Sequence, residues 1–147
     1  MRDDYERMLD VREALEHIEK YAVRGRDAFE RDELLQTWVV HHLQILGEAC
    51  ANFTDAFRQR HPHVSWKDIV GMRNVLVHGY FDIDLDVVWS TVEHDLPGLK
   101  KSILRILEEE KPAQGEGATE NSRPQRRYLF PWLFRGSAGM EREWGGV

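Results

Sequence analysis

The sequence predicts an all-α protein, an antiparallel four-helix bundle with a bent or split last helix and an irregular C-terminal tail. Two observations carry this. Apolar residues recur at steps of three and four through most of residues 3–110, the spacing that puts them on one face of a helix. The one segment with strand-like composition, NVLVHGYF, has no second run to pair with, and an isolated strand does not hold together.

Tyr5, Met8, Val11, Leu15, Ile18 and Ala22 define the first helix, over about residues 3–23. The charged stretch VRGRDAFERD reads as a link. A second pattern holds Leu35, Trp38, Val39, His42, Ile45, Leu46, Ala49, Cys50, Phe53 and Phe57, a long helix buried on a wide face. It should end before Pro62, because proline lacks a backbone donor and pushes the preceding residue out of helical angles. Ser65, with Asp68 three residues on, predicts a capped start for a third helix over Trp66–His78, terminated by Gly79. Val88, Val92, Leu96, Leu99, Ile103 and Ile106 mark a fourth helical region, about 85–110, that Pro97 and Gly98 should bend or divide.

The chain of 147 residues suits one domain, and its 41% hydrophobic content with 5 Trp, 4 Tyr and 6 Phe is that of a packed globule. Residues 1–111 hold 15 Lys and Arg against 22 Asp and Glu, so the acidity that gives a net charge of -6 lies in the body. Such a balance argues against a general nucleic-acid coat, whose affinity comes from many cationic phosphate contacts; any work on RNA must be local. A boundary is expected near Lys111: residues 1–111 form the helical domain and 112–147 an extension. Its first part is poor in apolar residues, and it also contains the aromatic segment YLFPWLFRG at 128–136. No apolar run reaches the length of a membrane span and the acidic start is unlike a signal peptide, so a cytoplasmic location away from any membrane is expected.

One charged residue falls on the wrong face. At about 100° per residue, with Ile69 at zero, Met72 lies near -60°, Leu76 near -20°, Val77 near 80° and Val70 near 100°. Arg73 falls near 40°, inside this apolar arc, where an ionised side chain needs a partner. Two readings stand. Arg73 pairs with a carboxylate such as Glu48, in the apolar stretch ILGEAC, and is structural; or it faces a functional cleft. Asn74 and His78, near 140° and 180°, are neighbours four residues apart, so the amide can orient the imidazole. Arg73 and His78 are about 140° and about 7.5 Å apart on one straight helix, so they do not converge on one small group. Two ways of converging remain: the helix ends at Gly79 and His78 swings, or, the preferred reading, a twofold dimer brings two copies of the helix together, gathers two arginines and two histidines and buries the apolar arc.

The stretch RNVLVHGY, residues 73–80, reads R-x4-H-x-Y and resembles the motif of the HepT-like toxins, a branch of the HEPN superfamily. ILGEA, HPHVSWKDIVGMRN and YFDIDLDVVWSTVEHDLPGLK, in this order around it, extend the resemblance over roughly residues 3–110. The resemblance implies a HEPN-type bundle, a homodimer with the motif in the interface cleft, and a metal-independent endoribonuclease that acts as the toxin of a type VII toxin–antitoxin system. It implies as partner the minimal nucleotidyltransferase antitoxin MntA, which adds AMP to the motif tyrosine. Arg73 and His78 are then catalytic, Asn74 the polar residue after the arginine, Tyr80 the modification site, and no cofactor is needed. The alternative is a HEPN dimer without catalysis that serves as binding partner of a nucleotidyltransferase, with Arg73 and His78 structural.

These residue types suit the chemistry. Cleaving RNA without a metal needs a base for the 2'-hydroxyl, a cation for the charge on phosphorus, and an acid for the leaving 5'-oxygen. Imidazoles titrate near neutral pH and a guanidinium offers a planar fork to two phosphate oxygens. The pairs His41–His42 and His61–His63 lack a cysteine or carboxylate cluster to complete a metal site. Cys50, in an apolar pattern, reads as a small hydrophobe. Asp82, Asp84 and Asp86 lack the glycine and glutamate of a calcium loop and should charge the first turn of the fourth helix.

Overall fold

A computed structural model describes residues 3–112, and these are helical throughout, with no strand among them. Helix α1 (Asp4–Ala22) starts in a capping box: Asp3 accepts from the Glu6 amide at 2.8 Å while the Glu6 carboxylate accepts from the Asp3 amide. Its buried face, Met8, Val11, Ala14, Leu15 and Ile18, follows the expected spacing. Helix α3 (Glu33–Ala51), capped by Asp32, is the central element, packed against α1 on one side and α5 (Trp66–His78) on the other, while α7 (Leu96–Glu109) lies on α1. Ten of the residues of α3 are buried, among them Val39, Leu43, Leu46 and Cys50, because it has neighbours on most of its circumference.

The four helical regions expected from the sequence are present, with refinements in detail. The charged link contains a short helix, α2 (Gly25–Arg31), because Phe29 is fully buried and packs on the Trp89 ring at 5.2 Å. The sequence pattern of the second region continues to Phe57, yet the helix breaks after Ala51. Asn52 closes α3 and Thr54 opens α4 (Asp55–Arg60), its hydroxyl accepting from the Phe57 amide. Asp4 of α1 holds this corner by accepting from the amide and the hydroxyl of Thr54 at 3.0 and 2.6 Å. Arg58 returns to donate to the freed carbonyls of Cys50 and Ala51. Phe53 and Phe57 stay in the core because the corner keeps their rings stacked, 4.5 Å apart.

Helix α5 spans Trp66–His78 as expected, but the Ser65 side chain makes no cap hydrogen bond; the first turn is fixed instead by Trp66, whose indole donates to the His61 carbonyl at 2.9 Å. A 3-10 turn, Tyr80–Asp82, follows Gly79, and Asp84 caps α6 (Leu85–Ser90) by accepting from the Asp86 and Val87 amides. The last region is divided by a π-helical segment, Thr91–Asp95, after which Pro97 sits in the first turn of α7, where its missing donor costs nothing. No helix among the described residues is long and apolar enough to cross a membrane. The aromatic segment 128–136 lies outside the described residues.

Candidate functional site

The apolar arc of α5 is only partly covered. Leu76 is buried against α3, while Val75 and Val77 are 64% and 37% exposed. Arg73 lies on the α3 side. Its Nη2 pairs with Glu48 Oε2 at 2.6 Å and its Nη1 donates to Asn74 Oδ1 at 2.8 Å. The pairing with Glu48, one of the two readings that the residue pattern allowed, is therefore made. It does not bury the arginine: the side chains of Arg73 and Glu48 keep 25% and 22% of their surface, so the guanidinium stands at the rim of the helix contact. Its Nε is covered and has no hydrogen-bond partner among the described residues.

Two residues of α3 that the sequence reading did not single out make this placement possible. A Cβ on Gly47 would come within 2.8 Å of Arg73 Cγ and 3.3 Å of its Cα, so only glycine lets α3 and α5 meet this closely at the arginine. Gln44, one turn earlier, donates to the Leu76 carbonyl at 3.0 Å. That carbonyl is in the last turn of α5, where helix carbonyls run out of intrahelical donors. The available signal was a glycine inside an otherwise apolar helical pattern, ILGEAC, which often marks a close approach of elements.

His78 is the last residue of α5 and is exposed, and Asn74 is exposed one turn before it. Arg73 and Asn74 are joined by their hydrogen bond, whereas Arg73 and His78 remain about 140° apart around the axis, as helix geometry requires. Tyr80 opens the 3-10 turn directly after Gly79. A groove of about 900 Å³ runs along the other flank of α5, floored by Leu43, Leu46, Met72 and Leu96 and edged by Asp68, Asp82, Asp84 and Asp95; neither Arg73 nor His78 lines it.

Of the other candidates, Cys50, His42 and His61 settle into the core. Cys50 is fully buried, which pushes its thiol up and away from reactivity. His42 is buried, stacked on His17 at 4.7 Å and packed on Trp38, with neither ring nitrogen hydrogen-bonded among the described residues. Burial first, then the neighbouring His17 and His41, lower its pKa to about 4. His61 is buried against Glu110 at 2.7 Å, which fastens α4 to the end of α7. Among the described residues, no three His, Cys, Asp or Glu side chains are grouped to hold a metal ion.

The described residues thus form an all-α bundle with Arg73 at the contact of α3 and α5, Asn74 beside it and His78 at the end of the same helix. The chain belongs to the ribonuclease HepT-like family, whose model matches residues 11–106. A Methanocaldococcus jannaschii protein named "Gamma-glutamylcyclotransferase and putative RNase" is 38% identical over 111 residues, 74% of this chain and 50% of that protein. The "Putative RNase" of Caldanaerobacter subterraneus subsp. tengcongensis is 40% identical over 94 residues, 64% of this chain and 84% of its own length. The "Probable ribonuclease HepT" of Thermococcus cleftensis is 38% identical over 92 residues, 62% of this chain and 84% of its own. The chain thus spans half the length of the first of these and most of the other two. No solved structure matches.

Proposed function

We propose that this chain is the toxin of a type VII toxin–antitoxin pair, a metal-independent endoribonuclease that works as a homodimer and is inhibited when a cognate nucleotidyltransferase antitoxin attaches AMP to Tyr80. The observation that carries the reading is the guanidinium of Arg73, neutralised by Glu48 on one side yet left a quarter exposed beside Asn74, in a family of HepT-like ribonucleases. That quarter of its surface, beside Asn74, is what a phosphate would meet.

In this mechanism one His78 takes the proton of the ribose 2'-hydroxyl, and the 2'-oxygen attacks phosphorus. Arg73 neutralises the charge on the phosphoryl oxygens. As the bond to the 5'-oxygen breaks, the His78 of the second copy gives that oxygen a proton, leaving a 2',3'-cyclic phosphate and a 5'-hydroxyl. A second copy brings together an Arg73 and a His78 that point about 140° apart on one helix. Val77, 37% exposed and about 40° from Arg73, gives α5 an apolar residue for that contact. Attaching AMP at Tyr80, two residues beyond His78, would place negative charge where RNA phosphates must dock.

The second reading, a binding dimer without catalysis, draws on the same ion pair, since an arginine satisfied by Glu48 is also what a structural role requires. Growth separates the two. Induction of the wild-type chain alone should arrest growth, and Arg73→Ala or His78→Ala, shown to be folded by circular dichroism, should relieve it. The purified protein should cleave RNA equally with and without EDTA. Harmless wild type, toxic folded variants, or cleavage abolished by chelation each count against the enzyme. Tyr80→Phe should remain toxic when the antitoxin is co-expressed.

A further inference from the structure

We infer that Gln44, outside the R-x4-H-x-Y motif and on a different helix, is a positioning residue for His78: its amide fixes the last turn of α5 and so the place from which the imidazole is presented. The inference rests on the ribonuclease reading above.

The sequence of α5 does not by itself account for how the helix ends. Gly79, the expected terminator, has φ -105° and ψ 32°, not the left-handed conformation through which a glycine usually closes a helix. Its amide donates to the Val75 carbonyl at 2.8 Å. The carbonyl that follows, Leu76, receives a donor from another helix, Gln44 Nε2 of α3 at 3.0 Å. Carbonyls in the last turn run out of intrahelical donors, and one supplied by a neighbouring helix ties the turn to that helix. His78 lies two residues further on, about 3 Å along the axis, as the last residue of α5. Its backbone is thus held to α3 within one turn of the bond.

The motif's own amide is committed elsewhere. His78 is exposed, and the Asn74 oxygen, which could have oriented the imidazole, accepts from Arg73 at 2.8 Å. The two ends of the motif are held instead from α3. Gln44 and Glu48 are four residues apart and share one edge of that helix. Glu48 holds Arg73, and Gln44 holds the turn that carries His78. The spacing between guanidinium and imidazole is therefore set by two side chains one turn apart on the central helix. This bears on rate, because moving a reacting group by about 1 Å can cost about a hundredfold.

Gln36 provides a comparison within the same helix. It donates to the Phe29 carbonyl, in the last turn of α2, at 2.9 Å. The bond is of the same kind as that of Gln44, a side-chain amide on α3 closing the end of a neighbouring helix. It lies near the start of α3, two turns from Gln44 and away from the motif.

The test uses the full chain, with kcat and KM measured on a short single-stranded RNA oligonucleotide and folding followed by urea titration. Gln44→Met keeps the length of the side chain and removes the donor; Gln44→Glu keeps its shape and removes the donor too. Each should lower kcat about tenfold, with KM and the sedimentation coefficient unchanged. Gln44→Lys, which restores a donor at comparable reach, should return kcat to within about twofold of wild type. Gln36→Met should lower the urea midpoint and leave kcat where it was. The inference is overturned if the donorless variants keep the wild-type kcat, if they raise KM instead, if lysine does not restore the rate, or if Gln36→Met lowers kcat as much, which would make the effect one of general stability. It is also overturned if neither donorless variant folds, since Gln44 would then serve the fold and not the placement of His78. Wild type that cleaves no RNA defeats the function and this inference together; wild type that cleaves with kcat indifferent to Gln44 defeats this inference alone.

Discussion

At the scale of single residues, the site turns on how a charge is kept in greasy surroundings. Arg73 has two of its three nitrogens engaged, by Glu48 and Asn74, and the third covered without a partner. That arrangement is stable only while α3 stays close. His42 is the contrasting case, an imidazole kept neutral by burial. Its folded pKa, about 4, lies below the ordinary 6.5, so the unfolded chain binds the extra proton first. The stability it contributes is fully present above about pH 6.5 and is lost as pH falls toward 4, at most about 3 kcal/mol. Urea midpoints measured between pH 7 and pH 4 should therefore fall on acidification, and His42→Leu should flatten that fall. An equal fall in the variant would show that other groups cause it.

At the scale of elements, the contact between α3 and α5 is the part on which the site depends. Gly47 sets the separation, Gln44 holds the last turn of α5, and Glu48 holds Arg73, all from one side of α3. Gly47→Ala would force a methyl into Arg73, and because the nearest atom is the Arg73 Cβ, which the backbone fixes, rotation of the side chain alone cannot relieve it. The helices must separate. We expect a loss of about 1–3 kcal/mol in denaturant titration, the usual cost of overpacking, together with a lower kcat on RNA. Unchanged stability and rate would mean that the contact yields more easily than its geometry implies.

At the scale of the whole molecule, one chain offers an arginine and a histidine that diverge, so the proposed chemistry needs a second copy. Val77, exposed about 40° from Arg73, provides the surface to tie this to. Replacing it with aspartate should halve the mass found by sedimentation and abolish cleavage, since like charges facing each other across a twofold axis repel. A variant that still sediments as the wild-type assembly would place the interface elsewhere on the bundle.

The sequence alone determined the helical class, the register of α1 and α5, the division of the last helical region and the residues worth watching. Each of these follows from local periodicity, proline and glycine chemistry, and a motif of short span. It could not tell whether Arg73 met a carboxylate or a cleft, that Phe29 would fold a charged link into helix α2, or that the second region breaks at Thr54. Nor did it explain why a glycine interrupts ILGEAC. Those outcomes depend on residues far apart in the chain: Glu48 with Arg73, Phe29 with Trp89, Asp4 with Thr54, Gly47 with Arg73. Periodicity reports which face of a helix is apolar; only the packed structure decides what that face meets.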